Sequence, residues 1–273
     1  MGVKKNHRAS CSLGLAVLAA VAAALTPGRA GADRKYFLES YTPYLAPAGE
    51  TELETWLTAK SGKQDPHEHT AWEPRIEYES GITDRLTGAA YLNFSQASGE
   101  SLHFDTPSLE FIYRLATPGS LPLDPAAYLE ASENGEEMEL EPKVLLARRL
   151  GRTITALNLV GEFEYRHNDE ELLADGSVLH KEFTGEICAG FACELQPRIA
   201  VALETRYRAE YPNFGRRADS VFSLGPSLNL QSEKTQFALG VLPQISGTPK
   251  TSGSRNLVDF EKTQVRAVVG IAL

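Results

Sequence analysis

Residues 152–166, R-T-I-T-A-L-N-L-V-G-E-F-E-Y-R, decide how this chain folds. Taken in steps of two, Thr153, Thr155, Leu157, Leu159, Gly161, Phe163 and Tyr165 form a set without a charge. The intervening set, Arg152, Ile154, Ala156, Asn158, Val160, Glu162, Glu164 and Arg166, carries charge at both ends. Successive side chains of a β-strand point to opposite faces, so the stretch predicts a strand with one apolar and one polar face. Its apolar run exceeds the roughly 5–6 residues of an average soluble strand and suits the roughly 9–11 of a tilted membrane-crossing one.

The pattern recurs. Alternation predicts strands over 50–60, 71–79, 85–95, 107–116, 125–132, 137–149, 153–166, 178–188, 198–210, 220–231, 235–245 and 262–273. The fold class expected is all-β: a transmembrane, antiparallel up-and-down β-barrel of about 12 strands, an even number as single-chain bacterial barrels have. The connections support it. Those at 61–70, 167–177, 211–219 and 246–261 are long, and those at 80–84, 150–152 and 232–234 are short. Long outer loops alternating with short periplasmic turns are the barrel rule. Asn134-Gly135 and the proline-rich 117–123 are its exceptions.

The N-terminus reads as a leader. Lys4, Lys5 and Arg8 precede an uncharged run over 13–25, then Pro27 and the small residues Ala30-Gly31-Ala32. That is a signal peptide over 1–32, cleaved before Asp33, and its apolar run falls short of the roughly 20 residues of a membrane-spanning helix. Residues 33–49 follow, with Pro43 and Pro47 among Tyr36, Phe37, Tyr41 and Tyr44. Proline excludes a central strand, so this is a periplasmic lead-in that can fold back into the barrel mouth, and 50–273 is the barrel. With 36 acidic residues against 27 basic ones, nucleic acid is not an expected partner.

Alternation alone does not say which face points outward. A soluble cup of the lipocalin kind would turn its apolar face inward, but about eight strands suffice for that. Trp72, Tyr78, Phe94, Phe111, Tyr113, Phe163, Tyr165, Phe183, Tyr207 and Phe222 fall on the apolar face, several at strand ends, as in interfacial girdles. The apolar face is therefore assigned to lipid.

Residues 48–56 (A-G-E-T-E-L-E-T-W), 81–86 (G-I-T-D-R-L) and 91–94 (Y-L-N-F) carry a resemblance. The chain resembles bacterial outer-membrane β-barrels of the porin-like kind, from families without a characterised function. The resemblance implies residence in the outer membrane, with its lipids and the barrel-insertion machinery as partners. Such barrels usually end in an aromatic residue. Here Val265, Ala267, Val269 and Ile271 alternate correctly up to Leu273.

With the apolar face outward, the lumen receives Glu162, Glu164, Arg166, Glu182, Glu186, Arg198, Glu204, Arg206, Arg208 and Arg266 among others. Acids and bases nearly balance. Such an interior is either packed and stapled by Arg–Glu pairs or a narrow polar conduit. The leading expectation is a passive porin-like channel for small polar solutes of unspecified identity. A closed structural or surface-binding barrel, a lipid-modifying enzyme and a soluble periplasmic binding barrel are the rivals. No cofactor, metal or catalytic residue is assigned. Asp65-Pro66-His67-Glu68-His69 lacks a third ligand at metal-site spacing, and no Ser–His pairing stands out. Cys188 and Cys193 flank a predicted periplasmic turn and could form a disulfide if that turn is irregular.

Overall fold

Each alternating stretch forms a strand: β1 Thr51–Ser61, β2 Thr70–Thr83, β3 Leu86–Ser95, β4 His103–Arg114, β5 Asp124–Glu133, β6 Glu137–Leu150, β7 Thr153–Arg166, β8 Lys181–Gln196, β9 Ile199–Pro212, β10 Asp219–Gln231, β11 Thr235–Thr248 and β12 Thr263–Ala272. These come from a computed structural model that describes residues 35–167, 173, 176 and 178–273. The leader expected over 1–32 lies outside the described residues. Every strand pairs antiparallel with its sequence neighbours, and β1 closes on β12 from Glu52↔Ala272 to Ser61↔Thr263. Closure satisfies the backbone groups that an open edge would expose to lipid.

β7 runs over Thr153–Arg166 as its periodicity predicts. The largest departure is β8, which continues to Gln196 where the sequence suggested a turn after Cys188. The Ala189-Gly190-Phe191-Ala192 stretch is strand, paired with Leu157 to Ile154 on β7. The short turns at 84–85, 151–152, 197–198 and 232–234, the longer connection at 115–123 and both ends of the closed sheet share one rim. Gly151 turns the chain between β6 and β7 with φ of 60°, a conformation that glycine adopts without a Cβ clash. The other long connections, with the tight turn at 134–136, occupy the other rim. By the barrel rule the short-turn rim is periplasmic.

The faces divide as lipid requires. Leu53, Ile76, Leu109, Leu129, Val144, Leu159, Ile187, Leu203 and Val241 point outward and are exposed, whereas Glu54, Glu77, Glu110 and Glu204 are buried inside. An apolar belt around a polar interior is a membrane barrel and the reverse of a soluble cup. Phe163, Phe183, Tyr211, Phe214 and Tyr165 cluster at the loop rim through ring contacts of 5.1 to 6.0 Å. Tyr78, Phe111 and Tyr113 are exposed toward the other rim. Phe94 departs from the expected face: the register shifts at Asn93/Phe94, and Phe94 lines an interior cavity.

Candidate functional site: a lumen half filled by its own lead-in

Along the periplasmic half, the inward positions are small: Ala126, Ala147, Ala156, Ala192, Ala200, Ala202 and Ala238 are all buried. Small side chains on facing walls leave a space that would be an empty void unless something enters it. The lead-in enters it. Tyr36 and Phe37 pack against Ala147, Ile154, Ala156, Ala192, Ala200 and Ala202, and Leu38 packs against Trp56, Ala238 and Val268. Gly190 belongs to this fit, because a Cβ there would stand 2.5 Å from the Phe37 ring.

Backbone groups taken inside a barrel need partners, and polar side chains of the wall supply them. Glu204 accepts the N–H groups of Leu38, Glu39 and Ser40 at 2.9, 2.9 and 2.7 Å. Asn158 pairs with Tyr41 in both directions, accepting its N–H at 2.6 Å and donating to its carbonyl at 3.0 Å. Lys35 donates its N–H to Gln236, and its carbonyl accepts from Asn229. The Tyr36 hydroxyl donates to Glu194 at 2.5 Å and accepts from Arg149 at 2.7 Å. Tyr44 donates to Asp124 at 3.0 Å. Burial, then this bond to Asp124, pushes the Tyr44 hydroxyl up to about 12. Burial works against the Lys35 ammonium, yet Glu54, Glu77 and Glu79 hold its pKa well above the ordinary value.

Above the lead-in lies a cavity of about 320 Å³, lined by Glu39, Glu73, Arg75, Glu130, Glu139, Glu141, Lys143, Glu162, Glu186, Arg206 and Arg266 among others. A second cavity of about 410 Å³ shares Glu73, Ser95 and Arg206 with it and extends to loop residues Lys63, Glu68, Glu100 and Asp259. The pair forms a charged chamber that reaches the loop rim and ends on Glu39. Glu39 accepts from Arg266 at 2.9 Å and from Gln264 at 2.5 Å, and stands 3.7 Å from Arg206.

The predicted lumen residues fall into three groups. Glu162, Glu186, Arg206 and Arg208 come together across β7, β8 and β9: Arg206 meets Glu186 at 2.5 Å, and Arg208 meets Glu186 at 3.3 Å and Glu162 at 3.5 Å. Arg266 and Glu204 instead hold the lead-in, Arg266 through Glu39 and the Leu38 carbonyl at 2.7 Å. Glu164 and Arg166 pair within β7 at 2.6 Å, and Glu182 lies opposite Pro212 near the loop rim. Arg198 is a correction, because it sits in the Pro197–Arg198 turn between β8 and β9 and not along the lumen wall.

The disulfide is also a correction. Cys188 and Cys193 are free, Cys188 buried inside and Cys193 on the outward parity of the same strand. Five strand residues span about 17 Å at roughly 3.4 Å each, beyond the Cα separation of up to about 7 Å that a disulfide bridges. In the first long loop, the His69 ring bonds the Lys63 carbonyl at 2.9 Å and Asp65 accepts the His67 N–H, so both residues shape the loop.

Sequence reasoning missed Asn158, Asn229, Gln236 and Gln264 as holders of the lead-in, and Lys35 and Glu39 as the lead-in's own anchoring charges. The legible signal was the run of alanines on inward positions, which neither a water-filled pore nor a charge-stapled interior explains.

Apolar exterior, closed twelve-stranded sheet and charged interior define a membrane β-barrel, here with its own N-terminal segment inside. The chain belongs to the family described as "Family of unknown function (DUF6662)", whose pattern matches residues 29–115 and 128–273. No curated protein matches the sequence. The fold is similar to that of the COG4313 outer membrane channel from Pseudomonas putida F1, with a TM-score of 0.61 and 11% identity over 87% of this chain and 100% of that one. It is similar to the NanC porin, with a TM-score of 0.56 and 11% identity over 81% and 100% of the two chains. The KdgM porin, solved with disordered oligogalacturonate, aligns with a TM-score of 0.52 and 7% identity over 81% and 99%. At these identities the likeness is one of fold.

Proposed function

We propose that this protein is a porin-like channel of the bacterial outer membrane that passes small polar solutes, with residues 35–49 acting as a plug. The observation that carries the reading is the charged chamber inside a closed barrel, reaching the loop rim and ending on Glu39. A purely structural barrel gains nothing from such a chamber, whereas a conduit needs one. The signal peptide over 1–32, release at Asp33, outer-membrane lipids and the insertion machinery belong to the same reading. No residue is assigned a catalytic role.

The density of bonds to the lead-in favours a second reading, a barrel that stays closed and serves structurally. Planar bilayer recordings of the mature protein and of a form lacking residues 35–46 separate the two. The channel reading expects small, intermittent conductance from the mature protein and a severalfold larger, steady one after the deletion. Silence from both, with heat-modifiable gel mobility intact, makes the structural barrel the function.

A further inference from the structure

Lys35 enters the lumen as a charge, and its surroundings are built for one. Its Nζ lies 2.7 Å from Glu54, 3.9 Å from Glu79 and 4.0 Å from Glu77, and 4.8 Å from the centre of the Trp56 ring. Glu54 and Glu77 are each 1% exposed. Anchoring a lysine takes one carboxylate; burying three together is costly without cationic compensation, of which Arg75, 5.4 Å from the centre of the same Trp56 ring, supplies only part. A carboxylate cluster beside an aromatic face suits an ammonium, which donates three hydrogen bonds and is drawn to the ring.

A second observation points to a ligand. A cavity of about 40 Å³ adjoins this cluster, lined by Lys35, Ser40, Trp56, Glu79 and Thr87, and shares Leu38, Tyr41 and Trp56 with the charged chamber above. Ser40 Oγ and Thr87 Oγ1, both lining this cavity, are buried and lack a hydrogen-bond partner among the described residues. Buried oxygens left unpaired are expensive, so polar atoms belong in this space, and it has room for them.

We infer that Glu54, Glu77, Glu79 and Trp56 form a subsite for primary ammonium groups with Lys35 as its tethered occupant, and that small amines are the solutes this barrel admits when the lead-in withdraws. The second clause rests on the channel reading; the first does not. A tethered occupant competes at an effective concentration of about millimolar or more, so free amines bind poorly while Lys35 is present.

The test is calorimetric binding of n-butylammonium, the lysine side chain in free form, to the full chain in detergent. Lys35→Ala is expected to bind it about tenfold more tightly than wild type, because the tethered competitor is gone. Lys35→Ala combined with Glu79→Gln should lose that gain, and tetramethylammonium, which has no N–H, should bind more weakly. Equal affinity of wild type and Lys35→Ala, or no binding by a Lys35→Ala barrel with normal heat-modifiable mobility, overturns the subsite. If Lys35→Ala fails to assemble, refolding with n-butylammonium replaces the titration: rescue by the amine but not by butyrate supports the subsite, and no rescue overturns it. Conductance is scored separately. Silence from every variant ends the channel reading and the solute assignment, while the binding result still decides the subsite.

Discussion

The two halves of the lumen are built from the same strands yet solve opposite problems. Toward the turn rim β6 to β9 present alanines and Gly190, and the space is filled by residues of the lead-in, whose Lys35 ammonium meets Glu54, Glu77 and Glu79 on β1 and β2. Toward the loop rim the same strands present Glu139, Glu162, Glu186, Arg206 and Arg208 around an open chamber. β9 shows the switch within one face: Ala200 and Ala202 are buried under Tyr36 and Phe37, then Glu204 takes the lead-in amides, then Arg206 and Arg208 join the charge network. Volume limits what a wall can carry where a chain must pass, whereas charge is tolerated where water and ion partners are available. Residue size along an inward face therefore reports where a barrel is filled.

The most severe way to probe that contrast is to place the same arginine at neighbouring positions. Leu203→Arg puts a charge on the lipid side of β9 and should cost on the order of 2–4 kcal/mol in assembly stability. Ala202→Arg points inward but meets Tyr36 and Phe37, so overpacking of about 1–3 kcal/mol is expected, together with expulsion of the lead-in. Val160→Arg, in the open chamber beside Glu162, should fall within about 0.5 kcal/mol of wild type, as substitutions away from packed features do. Urea titration of folded, heat-modifiable protein measures all three. Equal costs for Ala202→Arg and Val160→Arg would remove the distinction between the halves.

Glu204→Ala attacks the boundary itself. It removes the acceptor of three lead-in N–H groups, and buried donors left unpaired typically cost about 1–3 kcal/mol. The expected result is a barrel that still closes but whose residues 35–49 become accessible to protease, with conductance moving toward that of the deletion. Unchanged protease resistance would mean that packing alone holds the lead-in.

Arg206→Ala should act more gently, on the chamber. Glu39 keeps Arg266 and Glu186 keeps Arg208, so the loss in assembly should stay below the about 3–5 kcal/mol of a buried charge left without a partner. Removing one guanidinium should raise conductance and shift reversal potentials toward cations. An anion-ward shift would contradict the arrangement of charges described above. The smallest effect is expected from reduction: dithiothreitol should leave gel mobility and melting temperature unchanged, since Cys188 and Cys193 stand on opposite faces of β8. A mobility change would show that they are bonded after all.

What the sequence by itself determined was the wall. Period-two alternation fixes which residues share a face, so residues 152–166 could be read as β7, and the number of strands and their order follow from how often that pattern recurs. The outward face followed too, from more strands than a soluble cup needs and from aromatics at the strand ends. What only the tertiary structure decided was the interior. The small residues at 189, 190 and 192 have the same local signature in a turn as in a strand facing a packed segment, so the expected end of β8 falls eight residues early, at 188 instead of 196. Distinguishing the two needs Phe37, which lies more than 150 residues away in the chain. The lead-in carries no periodicity of its own, and its backbone groups find Glu204, Asn158 and Gln236 only once the sheet has closed. Local alternation is a property of neighbours in sequence; the filling of a lumen depends on walls that meet only in space.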